Sequence, residues 1–210
     1  MKIWDISPLI TSKLAVFPGD VEFSRSVSLD FPRHHLALSS ITTTLHLGAH
    51  ADSSSHYHAN GKGVHQRPLE RYLGECQVIE VKLPRGERIL PQHVGPLKAP
   101  RVLFKTLSFP DPNHWNPDFN SLSPELIDHL AALKVVTVGI DTPSVDPADS
   151  KGLESHQALF RHDLAVLEGL ILDRVASGLY TLVALPLALK DADASPVRAI
   201  LLEPGLFPSS

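Results

Sequence analysis

His46-Leu47-Gly48-Ala49-His50-Ala51-Asp52-Ser53-Ser54-Ser55-His56-Tyr57-His58 is the stretch on which the reading of this chain turns. Four imidazoles and a carboxylate within thirteen residues supply the nitrogen and oxygen donors that bind zinc and its first-row neighbours. The chain holds 12 histidines, and five of them, counting His65, lie between positions 46 and 65, so even scatter accounts poorly for the pattern. On a continuous strand rising about 3.3 Å per residue, His46 and His50 would stand roughly 13 Å apart, too far to share an ion whose ligand bonds are about 2 Å long. A helix would put them on one face. However, β-branched Ile41-Thr42-Thr43-Thr44 precedes them, and Gly48 and Ser53-Ser54-Ser55 are weak helix formers. The spacing therefore predicts a strand ending near His46 and then a tight loop, with Gly48 taking up a backbone conformation that other residues resist.

Such a bend can aim His46, His50 and Asp52 at one point. Two histidines and a carboxylate leave a tetrahedral zinc with an open fourth position, as in catalytic rather than structural sites. A thiolate-rich structural site is disfavoured because Cys76 is the single cysteine. The competing reading is a solvated loop that happens to be rich in histidine. His56 is either a further ligand or a general acid and base, since an unperturbed imidazole titrates at about pH 6.5. His58 has no argument of its own.

Outward from this stretch, 210 residues with 43% hydrophobic and 20% charged residues describe one globular domain spanning 1–210, with apolar mass enough for a core. A net charge of −4 offers no clustered basic field for phosphate backbones, so nucleic acid is excluded as a partner. Asp5 and Pro8 interrupt the N-terminal segment where a secretory leader needs an apolar run, and no stretch approaches the roughly eighteen apolar residues of a membrane span. One cysteine precludes an intrachain disulfide and fits a reducing compartment. A cytoplasmic protein without membrane contact is expected.

Periodicity predicts strands at 2–7, at Val21–Leu29 with the two-residue alternation of a half-buried strand, and at 36–47, 76–83, 101–107 and 135–140. Three closing strands are expected at 170–175, 180–189 and 197–202, and a short helix at 68–73. Ser123-Pro124 is a helix start, followed by the apolar face Leu126, Ile127, Leu130 and Leu133. The segment 153–166 also reads as helical. Strands outnumber helices, so the fold class is α/β, a mixed, strand-rich sheet with a few flanking helices. The turn-rich Gly139-Ile140-Asp141-Thr142-Pro143-Ser144-Val145-Asp146-Pro147 follows an apolar strand, a usual place for a site loop.

A second polar cluster lies at 155–168. His156 and Glu168 are twelve residues apart, about 18 Å along one unbroken helix, so they can share an ion only if the chain turns between them. A short helix, a turn and a second short helix would allow it. A second metal could then be held by His156, Glu168 and a bridging Asp52. The alternative is that Glu168 is an exposed helix carboxylate and His156 a helix-start residue.

The stretch 46–56 resembles the H-x-G-T-H-x-D-x-P-x-H motif of the cyclase-like metallohydrolase family. Further matches, all in the same order, resemble that family's bacterial kynurenine formamidase branch: Ile3-Trp4-Asp5-Ile6-Ser7-Pro8, Phe17-Pro18-Gly19-Asp20, Tyr72-Leu73-Gly74, the loop 139–147, the segment 155–173, Ala184-Leu185-Pro186-Leu187 and Asp193-Ala194-Ser195-Pro196-Val197-Arg198-Ala199. The resemblance runs the length of the chain. It implies a swivelling β/β/α type of fold, a homodimer, and two zinc ions per subunit. One would be held by His46, His50 and Asp52, the other by Asp52, His156 and Glu168, with His56 as catalytic proton donor and acceptor. It also implies the reaction, hydrolysis of N-formyl-L-kynurenine to L-kynurenine and formate in tryptophan degradation. Ala49 and Ser54 depart from the motif's Thr and Pro, and Phe17 stands where the family has a substrate-stacking Trp, which keeps an aromatic face without the indole N–H. The nearest alternative is a family member acting on isatin or another small aryl amide. A non-catalytic metal-storage protein is the alternative of another class.

Overall fold

The computed structural model describes residues 2–205. Its strands are β1 (Ile3–Asp5), β2 (Ser24–Leu29), β3 (Leu38–Thr42), β4 (His50–Asp52), β5 (Leu73–Glu80), β6 (Arg88–Ile89), β7 (Arg101–Lys105), β8 (Ser121–Leu122), β9 (Thr137–Ile140), β10 (Ala165–Glu168), β11 (Gly178–Val183), β12 (Ala194–Pro196) and β13 (Ile200–Leu202). The helices are α1 (Phe31–His34), α2 (Pro124–Ala132) and α3 (Glu154–Arg161). Nine strands form one mixed sheet in the order β1-β13-β11-β5-β7-β9-β10-β4-β12. Its centre, β5 to β10, is parallel, and both flanks are antiparallel.

A strand buried on both faces reads as a continuous apolar run rather than an alternation, and β7 behaves so, with all five residues buried. Val102 and Phe104 pack with Val138, Ile140 and Val166 under α2 and α3, while Leu103 joins Cys76, Val78 and Leu167 on the opposite face. The α2 start is as expected. Ser123 Oγ accepts the Leu126 N–H at 3.1 Å, Pro124 opens the helix, and Leu126, Ile127 and Leu130 are buried. Leu133 lies past the last helical residue and is 50% exposed. No helix among the described residues is long and apolar enough to cross a membrane.

Several local expectations are corrected. The strand predicted at 36–47 stops at Thr42 and pairs only with β2, as a separate two-stranded ribbon. The β2 alternation does not mark a half-buried strand, since Val27 is 56% exposed and Ile41, opposite Arg25 on the ribbon, 63%. The ligand stretch is a loop only as far as Ala49. Residues 50–52 are strand β4, held on both edges by β10 and β12. The segment after α3 is not a second helix but β10. Asp163, at φ 51°, turns the chain, and Ala165-Val166-Leu167-Glu168 then pairs with β9 and β4, ladder bonds that override the local helical pattern. Residues 170–175 form no strand, although Leu170, Leu172 and Val175 are buried, and β11 ends at Val183.

Two glycines allow the β4–β10 junction to close. Gly48 has φ +57°, and a Cβ there would stand 2.9 Å from Pro8; Gly169 has φ +65°, and a Cβ there would stand 2.1 Å from the Gly48 carbonyl oxygen. The backbones touch where side chains elsewhere would intervene. Left-handed backbone costs a non-glycine residue about 1–2 kcal/mol, and Gly169→Ala adds a backbone clash that no side-chain rotation relieves. At Gly19 (φ +100°) an added methyl meets nothing within 4 Å, so Ala there incurs strain alone. Chemical denaturation is expected to show Gly169→Ala losing at least about 2 kcal/mol more than Gly19→Ala; equal losses would show that the junction yields.

Candidate metal centre

Side chains alternate across a strand, so His50 and Asp52 of β4 share one face and Ala51 points into the core. The antiparallel register sets Glu168 of β10 directly opposite His50. His156 comes from the first turn of α3, and His46 from the bend before β4. All of these, with His56, converge. His50 Nε2 lies 3.2 Å from Glu168 Oε2 and 3.4 Å from Asp52 Oδ1. His156 Nε2 lies 3.4 Å from both Asp52 Oδ2 and Glu168 Oε1. His46 Nδ1 is 2.9 Å from Asp52 Oδ1, and His56 Nε2 is 4.0 Å from Asp52 Oδ2.

The three histidines and Glu168 are each anchored from outside the cluster. His50 Nδ1–H donates to the Gly48 carbonyl at 2.8 Å, and His156 Nδ1–H to Asp146 Oδ2 at 2.8 Å. His46 Nε2–H donates to Asp193 Oδ2 at 3.0 Å, and the Val145 N–H to Glu168 Oε1 at 2.7 Å. Second partners of this kind fix the tautomer and present the other ring nitrogen as a lone pair. The inner atoms, by contrast, are left without hydrogen bonds: His50 Nε2, His156 Nε2 and both Asp52 oxygens are buried and unpartnered. Buried polar atoms are ordinarily satisfied, so four orphans facing one another fit a cation. The donor set, imidazole and carboxylate without thiolate, suits zinc and also manganese, iron or cobalt.

The charges agree. Burial disfavours the Asp52 carboxylate, but His46 and His156 outweigh it and hold it well below the usual range; Glu168 is lowered against both burial and Asp52. Burial likewise opposes protonation of His50, yet Asp52 and Glu168 push it up to about 10. Without a cation, protons on imidazoles fill that role. His56 goes the other way, because burial pushes it down against the pull of Asp52.

The distances gather all five residues: Asp52 Oδ1 faces His46 and His50, and Asp52 Oδ2 faces His156, which also faces Glu168. His50, Asp52 and Glu168 offer donor atoms within 4.8 Å of one another, as do His46, Asp52 and His56. His156 stands between Asp52 and Glu168. His58 is apart, stacked on Phe160 at 3.6 Å between ring centroids. The two departures in the motif are accommodated: Ala49 packs into the core, and Ser54 Oγ accepts the Lys62 N–H at 2.9 Å, so a hydrogen bond ties the loop where a proline would stiffen it.

The cluster opens on a cavity of about 430 Å³, lined by His46, His50, His56, His156 and Glu168 and walled by Phe17, Phe109 and Trp115. Phe17 meets Trp115 edge to face, with centroids 4.8 Å apart. Trp115 escaped the sequence reading, in which an isolated tryptophan is more often core or interface. Asp193 escaped it as well, although it lies inside a matched motif; it touches His46 and lies 3.8 Å from His56 Nδ1.

Residues 4–147 match the family model Cyclase, described as "Putative cyclase". The kynurenine formamidase of Bordetella petrii is 45% identical over 97% of this chain and 99% of its own. A solved structure described as a potential metal-dependent hydrolase with cyclase activity superposes with a TM-score of 0.82 at 25% identity, over 95% of this chain and 96% of its own. Isatin hydrolase A of Labrenzia aggregata shares the fold, with a TM-score of 0.77 at 20% identity over 95% and 93%. With that model covering more than half of its length and a relative aligned across nearly all of it, this chain belongs to the cyclase family of hydrolases.

Proposed function

We propose that this chain is a zinc-dependent formamidase that hydrolyses N-formyl-L-kynurenine to L-kynurenine and formate, a step of tryptophan degradation, with two ions per subunit. The observation that carries the reading is the set of four orphaned, buried donor atoms facing an aromatic-walled cavity, in a chain 45% identical to kynurenine formamidase. A cavity of about 430 Å³ suits a substrate with one aromatic ring. A cytoplasmic location goes with it, in keeping with a single cysteine.

His46 through Nδ1, His50 and His156 through Nε2, and Asp52 and Glu168 through carboxylate oxygens would hold the ions. Zinc bound there supplies Lewis acidity toward a carbonyl and lowers the pKa of water to about 7. The chain itself moves the proton. His56, neutral because of its burial, takes a proton from the attacking water, and Asp193 beside its Nδ1 steadies the imidazolium. As the C–N bond breaks, His56 Nε2 delivers that proton to the aniline nitrogen, releasing amine and formate. Phe17 and Trp115 hold the ring and keep water from it.

The exposed ribbon supports a homodimer. Val27, Leu38 and Ile41 on it, and Phe31 of α1 between its strands, are each more than half exposed, apolar side chains that this fold alone leaves bare. Ile41→Glu is expected to convert the dimer to monomer in light scattering; a wild type that is monomeric at working concentration would end that reading.

Turnover of N-formyl-L-kynurenine is expected to vanish on chelation and return with zinc, whereas a metal-loaded protein that opens isatin and leaves the formamide intact would favour the alternative substrate. Metal uptake has to expel the proton that His50 holds up to about 10, so apparent affinity rises with pH and calorimetry in buffers of different ionisation enthalpy should detect proton release. His56→Ala is expected to lower kcat by about 10²–10⁴-fold with metal content unchanged. Loss of an ion in that variant would move His56 into the ligand set.

A further inference from the structure

The cavity carries charge beyond what its floor requires. Among the described residues lining it, Lys151 is the one lysine or arginine, whereas Asp20, Asp141, Glu168 and Asp193 are acidic. Lys151 is in the loop before α3, at the rim, where it also borders a shallow recess formed by Ser55–Ala59 and Gln157. The acids beside it are committed elsewhere. Glu154 accepts from Arg88 Nη2 at 3.0 Å and from Ser150 Oγ at 2.9 Å, and Asp146 binds Arg88 and the N–H groups of Ser155 and His156. Those last two bonds also occupy two of the amides at the α3 N-terminus. Lys151 has no carboxylate within 4 Å among the described residues.

We propose that Lys151 binds the carboxylate at the amino-acid end of the substrate and thereby makes the site select aryl formamides that carry a carboxylate over those that lack one. The assignment rests on the formamidase reading. A formamide seated on the metal cluster, with its ring against Phe17 and Trp115, extends its ortho side chain away from the floor toward the rim. A carboxylate there meets acidic residues on the other walls and a single permanent cation. Because the ammonium is exposed, it stays hydrated until the ligand arrives, so its effect is modest and salt-sensitive.

The test uses metal-loaded protein and two substrates that share ring, ortho ketone and formamide: N-formyl-L-kynurenine and the neutral N-(2-acetylphenyl)formamide. The ratio of their kcat/KM values is expected to fall about fivefold in Lys151→Gln, mainly through KM, the range of an exposed ion pair. Lys151→Arg should restore the ratio, and added salt should lower it in the wild type. An unchanged ratio, or equal losses on both substrates, would overturn the assignment while leaving formamidase activity in place. Wild type that hydrolyses neither substrate overturns the formamidase reading instead. Equilibrium binding of L-kynurenine then judges the lysine separately: weakening in Lys151→Gln supports a carboxylate site, and indifference removes it.

Discussion

Two carboxylates that cannot reach water govern this structure. Asp52 and Glu168 are each 2% exposed and share the imidazoles of His50 and His156. Taking one such charge out of water costs several kcal/mol even after relaxation, and a second beside it adds repulsion. Two buried imidazoles and a third at the edge, His46, answer that cost only in part, because the inner nitrogens and oxygens approach one another without forming hydrogen bonds. A cation at their centre satisfies at once the charge, the lone pairs and the geometry. Hydrophobic burial in the two flanking clusters outweighs the penalty overall, so the fold can keep at its centre an arrangement that would be unstable alone.

The sheet makes that arrangement rigid. Asp52 and His50 are two residues apart on a strand bonded on both edges, and Glu168 is fixed opposite by register rather than by side-chain packing. A slip of one residue between β4 and β10 would turn Glu168 to the other face and put Leu167 in the cluster. The near-contact of Gly169 with the Gly48 carbonyl holds the two strands' ends together at that register. His156 reaches the same point from a helix, pinned through Asp146, which itself takes a bond from Arg88. The metal-facing groups thus come from three distant segments whose mutual positions only the complete sheet determines.

That distribution explains how much of the site is legible in the chain alone. The thirteen-residue stretch points to a metal site because three of its donors, His46, His50 and Asp52, are local to one bend and one strand. Glu168 and His156 can be joined to it only by resemblance, since spacing leaves open whether the chain turns between them. The turn does occur, at Asp163, but the segment after it is a strand: a short apolar run such as Ala165-Val166-Leu167 is helix or strand according to its neighbours, and β9 and β4 decide. The β2 and β3 alternation is legible and its burial is not, because alternation states which residues share a face and nothing about what covers it. Asp193, Trp115 and Lys151 carry no local signal. Asp193 matters through His46 and Trp115 through Phe17, partners distant in sequence, and Lys151 through a cavity that only the fold assembles; a lone acid, indole or lysine in sequence is ordinary.

Chemistry and selection occupy different parts of the scaffold. Four of the five donors sit on strands or on the first turn of a helix, with His46 in the bend before β4, whereas the residues that would meet the rest of a substrate, Phe17, Trp115 and Lys151, all lie on connecting segments. Loops change at little cost to the fold, so the residues around the donors can vary while the strands and helix that hold the donors stay as they are. Phe17 fits the same logic. Its ring stands edge-on to Trp115, so the cavity wall holds an indole beside the phenyl. A phenyl ring at position 17 keeps an aromatic face there and lacks the indole N–H donor.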